Sequence, residues 1–146
     1  MKKTLVIGYG NPLRGDDGVG WVLAEELEKK YSLPQVECQM SIQLVPEMAA
    51  RFGEFDQVLF IDAAVSGNPG YISINEVKKG HATEKPLNHE FDFDEMVSFA
   101  EMFHPKIPKL TLFTVTGSDF SFGAGLSDDV VASIPEAMSA LENLIN

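Results

Sequence analysis

Positive charge is scarce in this chain: 11 Lys and Arg stand against 22 Asp and Glu, a formal net charge of −11. Nucleic acids are bound by clustered Lys and Arg that neutralise phosphates, and this chain has too few for such a patch. The balance favours solubility and points to a basic surface or a metal ion as partner. Cysteine is scarcer still. Cys38 is the only one, which excludes an internal disulfide, fits a reducing compartment and reads as a small apolar side chain in a strand. Long apolar runs are missing, and none approaches the ~20 residues of a membrane-spanning helix. Met1-Lys2-Lys3-Thr4 leads into an apolar stretch too short for a signal peptide. A cytoplasmic protein with no nucleic-acid or membrane partner is expected. H-E-x-x-H, G-x-S-x-G and a cysteine beside a histidine are also absent, so the usual zinc-helix and nucleophile-elbow hydrolases are excluded.

At 146 residues the chain is expected to form one domain, residues 1–146, with a proper core. Lys3–Gly8 reads as a buried strand, and Val19, Val22, Leu23 and Leu27 follow at helical spacing. Val36–Met40 is a second strand. Val45, Met48, Ala49 and Phe52 mark a second helix, with Pro46 in its first turn. "QVLFIDA" (57–63) is apolar on both faces, as a central strand covered by helices must be. Tyr71–Val77 alternates like an edge strand of a hairpin-like insertion. Lys78–Glu90 is a long, polar, breaker-rich loop. Phe93, Met96, Val97, Ala100 and Phe103 predict a third helix, Leu110–Val115 a further strand. A last helix is capped by Ser127 and kinked at Pro135. Alternating strands and helices argue for an α/β/α sandwich with a mostly parallel sheet. Sites in such sheets lie beyond the carboxyl ends of the strands.

Three polar strand exits are therefore candidates: Asp16 and Asp17 after the first strand, Asp62 at the end of the central one, and His89 in the long loop. The turn "GYGNPLRGDDGVG" (8–20) starts like a dinucleotide-binding loop, but Leu13 stands where the third glycine belongs. Two carboxylates where a pyrophosphate would sit complete the exclusion. Acids at a helix start stabilise it, and one of the pair could do only that. Asp62 follows four apolar residues, where an uncompensated charge is costly. His81 and His104 read as surface residues. One imidazole and two carboxylates suit a divalent transition ion with open coordination positions, and could equally do acid–base chemistry without one.

Residues 8–20, the Asp at the end of the central strand, the His before the third helix and the closing "FGAGLSDDVVASIPEAMSALENLI" together resemble the hydrogenase maturation proteases. That resemblance covers nearly the whole chain. It implies a twisted five-stranded sheet between helices and an endopeptidase that removes the C-terminal extension of a nickel–iron hydrogenase large subunit after nickel insertion. It also implies metal binding by Asp17, Asp62 and His89. The nickel would come chiefly with the substrate, and the protease would be a monomer when free. Hydrolysis would run through the metal, or through a carboxylate such as Asp16 or Asp62 acting on a water. The chain departs from the family pattern in Asp17, where several members carry Glu, in Asn88-His89-Glu90, and in Thr116-Gly117-Ser118-Asp119. Peptidyl-tRNA hydrolases share a similar opening but need a basic surface. A nickel-sensing or nickel-delivering module without catalysis is the remaining alternative.

Overall fold

The structure is a computed structural model and describes residues 1–77 and 91–146. Among the described residues a five-stranded sheet has the order β2-β1-β3-β5-β4. Its strands are β1 (Thr4–Tyr9), β2 (Val36–Ser41), β3 (Gln57–Ala64), β4 (Ile72–Glu76) and β5 (Lys109–Thr116). The first three and β5 are parallel; β4 runs antiparallel on the edge. The helices are α1 (Val19–Lys30), α2 (Phe93–Phe103) and α3 (Asp128–Ile145).

Strand alternation builds the layers. Val6, Leu59, Ile61, Phe113 and Val115 face α1 and α3, packing on Leu23, Leu27, Val130, Ala137 and Leu141. Leu5, Ile7, Val58, Phe60 and Leu110 face the other way, onto Phe52, Phe93, Met96 and Ala100. Burial on both faces is why β1 and β3 read as unbroken apolar runs. Phe60 carries this second core, with Phe52 and Phe93 edge-on at 5.9 and 4.9 Å.

The expected three-layer sandwich and mostly parallel sheet are as observed; three details differ. The segment Pro46–Glu54 forms a 3-10 helix rather than an α-helix. Its buried residues, Ala49 and Phe52, are three apart, the repeat of a 3-10 turn. β4 does not fold back as a hairpin on β3. Both edges of β3 are taken by β1 and β5, so the chain crosses β5 and pairs on its far side. Ser127 stands at the N-cap of α3 but makes no side-chain cap bond, because Asp16 takes its hydroxyl. Helix α3 runs from Asp128 to Ile145 with Pro135 inside it, on its exposed side.

Strand order places a topological switch between β1 and β3. The chain leaves β1 for β2 on one side, and β3 pairs on the other. The crevice at the carboxyl ends of these two strands is where such sheets hold ligands.

Candidate metal and peptide site

Asp17 lies at this crevice. The chain leaves β1 at Gly10, whose φ is +136°, and a 3-10 turn over Gly15–Gly18 leads into α1. A Cβ on Gly10 would lie 2.1 Å from the Asp17 carbonyl oxygen, so only glycine lets the loop close this far. The Asn11 amide then donates to Asp17 Oδ2 at 2.7 Å, and Asn11 Oδ1 accepts from the Leu13 amide at 3.0 Å. The Gly-Asn pair therefore fixes a half-buried carboxylate where a phosphate-binding loop would leave a gap.

Asp62 comes from β3, one residue after fully buried Ile61. Its Oδ1 accepts from the Ala63 amide at 2.7 Å. Burial pushes its pKa up, the Ala63 amide pulls it back, and the negative charge of Asp17 pushes it up again. The result is about 7. No Lys or Arg pairs with either carboxylate among the described residues. Tyr9, the last residue of β1, faces Asp62. Burial first, and then the charges of Asp62 and Asp17, hold its phenol well above the ordinary range, so it stays protonated as a donor. Sequence reasoning passed over Tyr9; its position at the end of β1 beside the switch point was the available signal.

Asp16 is fully buried and does something different. Its Oδ2 accepts from the Ser118 and Asp119 amides at 2.7 and 3.0 Å and from Ser127 Oγ at 2.8 Å. Its Oδ1 accepts from the Ser127 amide at 2.7 Å. Burial pushes its pKa up, but these donors outweigh it and hold the carboxyl below its usual value. Asp16 is thus an ionised anchor that ties the β1–α1 loop to the β5–α3 loop. Ser118 and Ser127 were missed as its partners.

Helix α1 packs unusually close to the sheet. A Cβ on Gly20 would lie 2.4 Å from the Ile61 carbonyl oxygen. This close approach brings the segment bearing Asp17 onto the residue before Asp62. His89 and His81 lie outside the described residues. His104, expected on the surface, is half-buried at the end of α2, with Nε2 2.8 Å from the Ala49 carbonyl oxygen. Side-chain-free Gly53 makes room for its ring. Cys38 is half-buried in β2, and burial pushes its thiol up to about 12, as befits a packing residue.

Fold and crevice together define an α/β protein with an acidic site at a sheet switch point. No family model matches the chain. The chain is 32% identical over 146 residues to the hydrogenase 2 maturation protease of Escherichia coli strain K12, covering 93% of this chain and 86% of that one. Among solved structures, the hydrogenase maturating endopeptidase HybD from E. coli superposes with a TM-score of 0.75 at 26% identity, covering 99% and 92% of the two chains. An endopeptidase from Escherichia coli, solved in solution, gives 0.77 at 29% identity, covering 97% and 90%. The chain belongs to the hydrogenase maturation protease family and is an endopeptidase by class. Among the described residues no helix is long and apolar enough to cross a membrane.

Proposed function

We propose that this endopeptidase removes the C-terminal extension of a nickel–iron hydrogenase large-subunit precursor once nickel has been inserted. Asp17 and Asp62, with His89 as third ligand, would bind the nickel that the precursor brings. The observation that carries this reading is the pair of carboxylates at the switch point, which no Lys or Arg compensates among the described residues. Burial and the neighbouring Asp17 raise the Asp62 pKa to about 7, a crowding of negative charge that a divalent cation relieves. Carboxylates and an imidazole suit a borderline ion, and without a thiolate they hold it modestly. The precursor would supply the remaining ligands, so that only a loaded precursor engages fully.

Asp62 is the carboxylate suited to take a proton from an attacking water, because its pKa lies near neutrality. Asp16, with both oxygens engaged by four donors, would serve to hold the loops. The nickel, when present, would add charge stabilisation at the scissile carbonyl.

The test is a side-by-side digestion of nickel-free and nickel-loaded precursor at equal free metal. A single cut near the C-terminus of the loaded form alone is expected. Equal cutting of both would remove nickel reading from the mechanism. Binding of loaded precursor with no cut by the wild-type protein would favour a nickel-sensing module.

A further inference from the structure

Each parallel strand ends in a loop that exposes a large apolar side chain. Leu13 follows β1, Ile42 follows β2, Val65 follows β3 and Phe122 follows β5; they are 57, 62, 81 and 74% exposed. These loops are fastened to one another. The Gly123 amide donates to the Leu13 carbonyl at 2.7 Å, the Gly10 amide to Ser41 at 3.0 Å, and the Gly117 amide to Ala64 at 2.9 Å. Asp16 adds its four bonds across the same seam. The loops that carry these four side chains are therefore held fixed along the end of the sheet where Asp17 and Asp62 lie.

Charge is arranged in the same sense. Among the described residues the ion pairs Lys30–Glu142, Arg51–Glu37, Arg51–Glu54 and Lys109–Glu76 lie toward the amino ends of the parallel strands. Among the described residues the carboxyl end of the parallel strands carries Arg14 alone as a cation, against Asp17, Asp62, Asp119 and, at the start of α3, Asp128 and Asp129. Exposed apolar side chains set among acids that no Lys or Arg pairs with among the described residues match a segment with apolar side chains interrupted by Lys or Arg. A second copy of this chain would bring like charge to like charge.

We propose that these four side chains form a rim that is the docking surface for the precursor's C-terminal segment, bound extended across Leu13, Ile42, Val65 and Phe122 with its basic residues over the acids. This deepens the processing reading above and rests on it. Affinity would come largely from the rim, and the cut from the crevice within it.

The experiment measures binding and cleavage separately. The nickel-loaded precursor of the same organism's hydrogenase is titrated by calorimetry against wild type, Leu13→Ser/Phe122→Ser and Met102→Ser. Met102 is 80% exposed on α2 and serves as the control. Circular dichroism checks that each variant is folded. The rim variant is expected to bind at least tenfold more weakly and the control to bind as wild type. Equal binding by all three would overturn the rim while leaving the processing reading intact if wild type cuts. Rim-dependent binding without any cut would sustain the rim and sink the processing. Absence of both would sink both. A concentration-dependent dimer lost in the rim variant would assign the surface to a second copy and overturn the proposal.

Discussion

Ser127 gives its hydroxyl to Asp16, 2.8 Å away, and not to the helix that it begins. The two residues are 111 positions apart, and Asp16 is one residue from the carboxylate proposed to meet the nickel. One neighbour in the acidic pair is an anchor and the other is a candidate ligand.

Removing the anchor should cost more than removing one of its partners. Asp16→Ala leaves a cluster of donors at a buried site without an acceptor, and about 3 kcal/mol or more of stability should be lost. Ser127→Ala deletes one donor and should cost about 1 kcal/mol. Urea unfolding monitored by Trp21 fluorescence measures both. An Asp16→Ala protein as stable as wild type would end the anchor assignment.

Asp62 should make the metal-free protein sensitive to pH in the opposite sense to most acids. Its pKa rises from 3.8 in the unfolded chain to about 7 in the fold, so the folded state holds the proton more tightly. That contribution to stability is complete below about pH 4 and is lost as pH climbs through 7. Asp62→Asn should therefore gain on wild type between pH 4 and 8, by on the order of 2 kcal/mol after screening at a half-buried site. Parallel thermal melts across this range test it; a constant difference between the two proteins would contradict the assigned shift.

Processing should fail in Asp17→Asn, Asp62→Asn and His89→Ala, while all three proteins fold. A loss of at least a hundredfold in cleavage of the loaded precursor is expected for each, read from gel mobility. Near-normal cutting by His89→Ala would leave the carboxylates as the whole recognition site.

Gly20→Ala tests the contact between helix and strand. The new Cβ would meet the Ile61 carbonyl oxygen at 2.4 Å, which forces α1 away from the sheet. A destabilisation of about 1–3 kcal/mol is expected. Because Ile61 precedes Asp62, the rate of processing should fall by more than the loss of folded protein explains.

Periodicity made most of the architecture legible. β1 and β3 announced themselves as apolar runs, and α1, α2 and α3 showed their buried stripes at helical spacing. The 3-10 segment Pro46–Glu54 escaped, since apolar residues at 45, 48, 49 and 52 fit either kind of helix over so short a stretch. The course of β4 escaped as well, because a strand's sequence records which faces are buried and not which edge it joins. Asp17 and Asp62 could be found as acids at strand exits. The duty of Asp16 could not, since its donors come from residues 118–127, brought near by tertiary folding alone.

The crowding of ion pairs at one end of the molecule has a kinetic consequence. Among the described residues negative charge gathers toward the carboxyl end of the parallel strands, and a protein charged in this way turns in the field of an approaching cation. A positively charged chain end would meet the correct face before contact, over distances of about a Debye length. Added salt should then slow arrival and leave departure nearly untouched, since departure answers to the contacts already made. In this protein orientation would be settled in solution, before any residue of the crevice is reached.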